Sequence, residues 1–210
     1  MSKILLVNGS NNQKGCTFVA LSEMKKVFEK NGIEAEILFL GNAPIADCMG
    51  CQHCSEKGEC VFNDIVNKVA KNLDEYDGIV LGSPVYYAGP TARICAFADR
   101  LFYSVPRRKF KYKLGACVVS CRRGGNSASF DRLNKYFTIS NMIVVGSQYW
   151  NMIHGFTSED AKKDLEGLQT MRTLAENMSY VLKCLKAGEK LGVEKPVEEK
   201  QLATNFMDGK

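Results

Sequence analysis

The chain has little that would tie it to a membrane or send it out of the cell. No stretch approaches the roughly 18 consecutive apolar residues that a membrane span requires, so no membrane partner is expected. The N-terminus passes from Met1-Ser2-Lys3 directly into Ile4-Leu5-Leu6-Val7. That run is too short for a signal peptide, and no small-residue cleavage site follows it. A cytoplasmic location is therefore expected. Internal repeats and low-complexity segments are absent, which sets aside solenoids and linker-rich chains. Acidic charge is slightly scarce: 23 acidic residues face 28 basic ones, a net +5. The densest basic stretch, Arg107-Arg108-Lys109-Phe110-Lys111-Tyr112-Lys113, alternates with aromatics as nucleic-acid patches do. A solvated loop leading into a strand explains it more simply, and no nucleic-acid partner is expected. A patch that attracts an anionic dinucleotide or an acidic partner stays open.

Cysteine, by contrast, is abundant. There are nine, an odd number at spacings as tight as two intervening residues, which does not suit a disulfide framework. In a reducing compartment such clusters more often bind metal or do redox chemistry. With 210 residues, 45% hydrophobic and 24% charged, the chain suits one domain, residues 1–187, with a C-terminal arm at 188–210.

Buried-strand runs alternate with helical patterns along the chain. Strands are expected at 4–8, 33–40, 78–81, 114–120 and 142–147, and helices at 17–30, 64–73, 91–103, 127–137 and 159–186. The first helix carries Phe18, Leu21, Met24 and Phe28 on one face, and Asn31-Gly32 closes it. Five strands alternating with five helices predict an α/β fold. Its core is a doubly wound, five-stranded parallel sheet of order 2-1-3-4-5. Ligands of such sheets sit beyond the carboxyl ends of the strands, near the switch between the first and third.

The loop after the first strand, Asn8-Gly9-Ser10-Asn11-Asn12-Gln13-Lys14-Gly15-Cys16-Thr17, leads into a helix. Small and hydroxyl residues let the backbone wrap an anion there, and a helix N-terminus offers free N–H groups. It lacks the Gly-Lys-Ser/Thr ending of a Walker A loop and the G-x-G-x-x-G of dinucleotide folds. A plain turn with polar capping residues accounts for it equally well. After the third strand comes Gly82-Ser83-Pro84-Val85-Tyr86-Tyr87-Ala88-Gly89-Pro90-Thr91, rigid and aromatic, as a slot for a planar ring requires. A pair of core tyrosines before a helix-starting proline is the rival reading. After the fourth strand comes the polar run Ser120-Cys121-Arg122-Arg123-Gly124-Gly125-Asn126.

Together these loops resemble the NADPH-dependent FMN reductase and iron–sulfur flavoprotein families of the flavodoxin-like group. The likeness runs from Ile4 to about Leu185 and includes Tyr149-Trp150-Asn151. It implies that Ser10, Asn12, Gly15, Cys16 and Thr17 cradle an FMN phosphate. It further implies that Pro84, Val85, Tyr86, Tyr87 and Gly89 line the isoalloxazine, with Ser120, Arg122, Gly124 and Gly125 closing the other side. The family often carries Pro-Arg where this chain has Asn11-Asn12, so one cationic phosphate contact is lost. Lys14 stands in the same loop as a substitute.

Cys48, Cys51, Cys54 and Cys60 follow the pattern C-x2-C-x2-C-x5-C. Four thiolates so close in sequence can close around an iron–sulfur cubane. A closed zinc site competes, though zinc sites usually place a longer span between two C-x2-C knuckles. Four free thiols packed against a partner subunit are a third reading. The segment is similar to the compact motif of iron–sulfur flavoproteins, which implies a [4Fe–4S] centre. It differs from the bacterial ferredoxin motif in its last spacing and in lacking the proline that follows. His53 is read as a loop residue, and Cys95, Cys117 and Cys184 as small core residues.

The resemblance implies an FMN-dependent oxidoreductase. NAD(P)H would reduce the flavin, which would reduce free flavin, a quinone or an iron–sulfur centre, so the partner is a small acceptor or a redox protein. A one-electron flavoprotein and a cysteine-based metal or redox sensor are the alternatives. Because the flavin would carry the chemistry, no catalytic side chain is assigned, and His154 and Asp160 receive structural roles. A homodimer or higher homo-oligomer is expected.

Overall fold

The sheet is built from strands whose side chains are apolar on both faces, so it can exist only between two layers of helices. The computed structural model describes residues 2–197, 199, 200, 202 and 204. In chain order, β1 (Lys3–Asn8) leads through α1 (Cys16–Lys30) to β2 (Glu34–Phe39). Two short helices follow, α2 (His53–Lys57) and α3 (Ile65–Lys71). Then come β3 (Gly78–Tyr86), the two-residue β4 (Gly89–Pro90) and α4 (Ala92–Ser104). β5 (Leu114–Cys121), α5 (Asn126–Ile139), β6 (Ile143–Val144) and β7 (Met152–His154) complete the sheet. The chain closes with α6 (Ser158–Ala161) and α7 (Leu165–Lys190).

The order is β2-β1-β3-β5-β6, and all of these neighbours pair in parallel. Counting only these five strands in chain order, this is the expected 2-1-3-4-5 arrangement. Alternation along β1 divides the core. Ile4 and Leu6 meet α1 and α7, while Leu5 and Val7 face the side covered by α3, α4 and α5. The expected inward face of α1 is largely as read, with Leu21, Met24 and Phe28 fully buried.

Four boundaries differ from the sequence reading, each for a local reason. β3 runs on to Tyr86 because Gly82, Ser83 and Pro84 still pair with Val118, Val119 and Ser120, and Val85 and Tyr86 pair with Pro90 and Gly89 of β4. The expected strand at 142–147 keeps only two residues. The chain then leaves the sheet and returns as β7 beside the carboxyl end of β5. Hydrogen bonds from Ser147 Oγ to Asn151 Oδ1 at 2.7 Å, and from Asn177 Nδ2 to the Gly146 carbonyl at 2.8 Å, hold that excursion. The long helix is split. A capping box between Thr157 and Asp160 starts α6, and Asp164 caps α7 afresh. The cysteine loop contains α2, framed by left-handed residues at Gln52 and Gly58. His53 is therefore helical. Of the three cysteines read as core residues, Cys117 is buried and Cys95 half-buried, but Cys184 is exposed on α7.

Among the described residues no helix is long and apolar enough to cross a membrane. Past Lys190, the described residues of the expected arm form no further helix or strand.

Gly115 shows how tightly the two layers meet. A Cβ there would lie 2.7 Å from Cγ of the fully buried Phe137. Gly115→Ala is expected to cost about 1–3 kcal/mol through overpacking, read as a lower urea midpoint at unchanged slope. An unaltered midpoint would show that α5 shifts without cost.

Candidate functional site

Of the fourteen buried polar residues among those described, six gather at one edge of the sheet. Asn8, Ser10, Thr17, Ser83, Thr91 and Ser120 all sit at the carboxyl ends of β1, β3 and β5 or at the helix starts beside them. Backbone that leaves a sheet must find partners elsewhere, and these short side chains supply them. Asn8 Oδ1 accepts the N–H of Ser10 at 3.1 Å, and Asn8 Nδ2 donates to the Gln13 carbonyl at 3.2 Å. Ser10 Oγ accepts from the Asn12 N–H, and Asn12 Oδ1 from the Lys14 N–H, both at 3.1 Å. The result is a loop of successive Asx- and Ser-type turns. It delivers the chain to Gly15, where α1 opens with no side-chain cap and no acidic residue in its first turn. Helix-start N–H groups left in this way favour an anion.

Thr17 and Ser120 are both buried, and their hydroxyls meet at 2.9 Å. They join α1 to β5 beneath the loop. The Cys16 thiol turns away from the loop, toward the carbonyls of Gly155 at 3.5 Å and Thr157 at 3.2 Å. Burial pushes that thiol up from its ordinary pKa, and Asp160 adds to the effect. What Cys16 can offer an anion is its backbone N–H.

The second loop is a hairpin. Val85 and Tyr86 of β3 pair antiparallel with Pro90 and Gly89, and Tyr87 and Ala88 form the turn at φ +49° and +59°. Two consecutive non-glycine residues at positive φ are strained. They are held by what surrounds them. A Cβ on Gly125, itself at φ +85°, would lie 2.5 Å from Ala88 Cα and 2.9 Å from Val85 Cγ1. The loops after β3 and β5 therefore touch at a point only glycine can occupy. Tyr86 Oη donates to Asn11 Oδ1 at 2.8 Å, and Thr91 Oγ1 to the Gly9 carbonyl at 2.9 Å. Asn11, where the family often has proline, thus ties the first loop to the second. Pro84, Val85 and Gly89 are half-buried beneath the exposed rings of Tyr86 and Tyr87.

The third loop is more open. Arg122 and Gly124 are exposed, and the Arg122 guanidinium lies 5.7 Å from the centre of the Phe156 ring. His154 ends β7 at the rim, with Asp164 Oδ2 3.5 Å from Nδ1 and Asn126 Nδ2 3.5 Å from Nε2. Tyr149 and Trp150, on the excursion, hold their rings 4.9 Å apart and remain half-exposed. All fourteen residues assigned to the flavin lie in or against the three loops. Asn8, Asn11, Ser83 and Thr91 were missed. Their positions flanking the loop motifs were the available signal. The fit to FMN rests on the uncapped start of α1 and on the cradle that a Cβ at Gly125 would fill.

The cysteine loop lies at the end of β2. Cys48, Cys51, Cys54 and Cys60 line one small cavity with Arg100 and Tyr103. Among the described residues, no three His, Cys, Asp or Glu side chains converge closely enough to hold a metal ion. Cys48 and Cys51 are exposed, while Cys54 and Cys60 are half-buried. The donor set is chemically that of a thiolate-bound centre, and its floor is cationic. Arg100 is 1% exposed and forks onto Asp64 at 2.6 and 2.9 Å. Burial works against its charge, but the bonds to Asp64 and Cys60 outweigh burial and hold the guanidinium above its ordinary pKa. Neither Arg100 nor Asn67, which brackets Cys60, was singled out from sequence. Their signal was a polar residue on the inward period of a helix.

A cleft of about 640 Å³ lies elsewhere, between α7 and the segment before β5. Its charges are largely spent on one another, Lys109 on Asp74 and Lys186 on Asp77. It is also remote from the strand ends where such sheets bind ligands.

Comparison with known proteins agrees with this geometry. An iron–sulfur flavoprotein of Methanocaldococcus jannaschii is 33% identical over 194 residues, covering 88% of this chain and 99% of that protein. One from Methanosarcina thermophila is 28% identical over 187 residues, covering 87% and 96%. Among solved structures, an archaeal flavodoxin superposes with a TM-score of 0.56 at 15% identity, covering 87% of this chain and 99% of its own. RosB, with a bound riboflavin-phosphate intermediate, gives 0.66 at 13% identity, covering 99% and 92%. These two show a shared flavodoxin-like fold. Residues 2–157 match the family described as NADPH-dependent FMN reductase, and the chain belongs to that family of FMN-dependent flavoproteins.

Proposed function

We propose that this protein oxidises NAD(P)H through FMN and passes the electrons to a small acceptor or a redox protein. The observation that carries the reading is the meeting of three loops at one sheet edge, locked by the Gly125–Ala88 approach and the Tyr86–Asn11 hydrogen bond. In this reading the N–H groups of residues 10–17, with the Ser10 hydroxyl, hold the phosphate. Pro84, Val85, Tyr86, Tyr87 and Gly89 position the ring, and Ser120, Arg122, Gly124 and Gly125 close the far side. When bound, FMN accepts hydride from a nicotinamide and releases electrons to the acceptor. The strained turn fixes Tyr87, fully exposed, at the mouth of the slot, where a second planar ring would stack. Tyr86, beside it in the hairpin, adds further exposed aromatic surface, and Tyr149, Trp150 and Phe156 are exposed as well. A second copy of the chain would cover that rim in a homodimer.

Cys48, Cys51, Cys54 and Cys60 would hold a [4Fe–4S] centre, which supplies one-electron transfer. Two relatives that bear the name iron–sulfur flavoprotein support this assignment.

Ser10→Ala is expected to weaken FMN binding about tenfold or more and riboflavin binding little. A lost hydrogen bond to a charged group is worth about 1.5–3 kcal/mol. Fluorescence titration with both flavins reads this, and wild-type FMN affinity in the variant would refute the assignment of the Ser10 hydroxyl to the phosphate. Mixing FMN-loaded protein with NADPH or NADH without air is expected to bleach the visible flavin absorbance within seconds. Gly125→Ala is expected to slow that bleaching by displacing the Tyr87–Ala88 turn. His53→Gln and His154→Gln should leave the pH profile of the rate unchanged, and a large loss in either would reveal an acid–base step at that histidine.

A further inference from the structure

We infer that Arg100 is a positioning residue for Cys60, aiming an N–H at the sulfur through which the last cysteine of the motif would hold its metal centre. This rests on the metal-binding reading of the cysteine loop. It goes beyond that reading by distinguishing one ligand from the other three and naming the residue that governs it.

Arg100 lies on α4, 1% exposed, under the loop. Each of the five N–H donors of a guanidinium finds its own acceptor here. Two go to the Asp64 carboxylate at 2.6 and 2.9 Å, one to the Phe62 carbonyl at 3.2 Å and one to the Ala46 carbonyl at 3.4 Å. The fifth, Nε–H, points at Cys60 Sγ at 3.2 Å. Asn67, 3% exposed, clamps the Cys60 backbone from the other side. It accepts the Cys60 N–H at 3.0 Å and donates to the Cys60 carbonyl at 2.8 Å. Cys60 is thereby fixed in main chain and side chain before any metal arrives. Among the described residues, no charged side chain donates to the sulfur of Cys48, Cys51 or Cys54.

Burying a guanidinium is costly unless every donor is used, and a neutral thiol is a weak acceptor for the last of them. A metal-bound thiolate carries negative charge and returns a stronger bond. Hydrogen bonds to cluster sulfurs are among the terms that set reduction potential, and groups just outside the ligands orient them. The carboxylate of Asp64 acts in the opposite sense, placing negative charge next to the donor. A tether with no electronic role would also use Arg100 to pin the loop to α4, so the test must separate the two.

The full-length wild type, Arg100→Gln and Asp64→Asn are each reconstituted without air using ferrous iron and sulfide. Iron and sulfide content, the rate of iron loss to a chelator and the potential by spectroelectrochemistry are then measured. About four irons per wild-type chain are expected. Arg100→Gln should shift the potential to more negative values and lose iron roughly 10–100-fold faster. Asp64→Asn, which keeps the Nε donor, should shift it to more positive values. FMN content reports whether each variant is folded. Should Arg100→Gln fail to fold, Arg100→Lys, which keeps the charge but not the directed N–H, is expected to show the same negative shift in smaller measure. Wild-type potentials in the folded variants, or shifts of the same sign in both, would reduce Arg100 to a tether and overturn the inference alone. A wild type that takes up no iron, or takes up one zinc instead, would overturn the cluster reading and the inference with it.

Discussion

A parallel sheet buried on both faces satisfies its backbone along its length and leaves it unsatisfied at its ends. The loops after β1, β3 and β5 take their shape from how the carboxyl end meets that demand. Asn8, Ser83, Thr91, Thr17 and Ser120 are buried polar residues in a core of leucine, valine, isoleucine and phenylalanine. Each bonds to a loop or to another of the set. Those bonds hold the first loop against the second, and the second presses on Gly125. A site with so many small contacts beneath it is pre-organised, because its groups are already ordered before a ligand arrives.

The other end of the chemistry follows a different rule. The cysteine segment has little regular structure of its own, and it is held by one buried cation and one buried amide reaching up from α4 and α3. Arg100 is fully buried while Asp64 is partly exposed, and losing the carboxylate would leave a buried guanidinium without its charged partner. The Arg100–Asp64 pair is therefore as much a part of the tertiary structure as any leucine nearby. The loops after β1, β3 and β5 draw rigidity from the sheet, while the cysteine loop draws it from side chains.

The parallel core was legible because β1, β3 and β5 are unbroken apolar runs, and such runs have few alternatives. The loops after β1 and β3 were legible as loops because Gly, Pro, Ser and Asn mark where a strand gives way to a helix. Less legible was anything decided by partners far along the chain. Pairing with Val118–Ser120 carries β3 as far as its proline, and the bonds to Asn151 and Asn177 hold residues 146–150 out of the edge. Asp164 restarts a helix whose apolar periodicity read as continuous. The role of Arg100 was illegible for the same reason, although its place on the inward face of α4 was not. Its five acceptors lie between 36 and 54 residues away, and no local pattern announces them. Cys184 was misjudged because a helix position of the right period can still lie past the edge of the layer it faces.

The interrupted fifth strand has a consequence for how the molecule behaves in a crowded solution. An open sheet presents two free edges, and a long flat edge is a template on which another chain can add a strand. Here one edge is broken into a two-residue and a three-residue piece separated by a detour. The opposite edge, β2, carries Glu34 and Glu36 with Lys3 bridging them. Neither offers an unbroken, uncharged row of backbone groups. The segment that carries Tyr149 and Trp150 thus also keeps the sheet from extending into its neighbours, so shortening it into a continuous strand would favour aggregation.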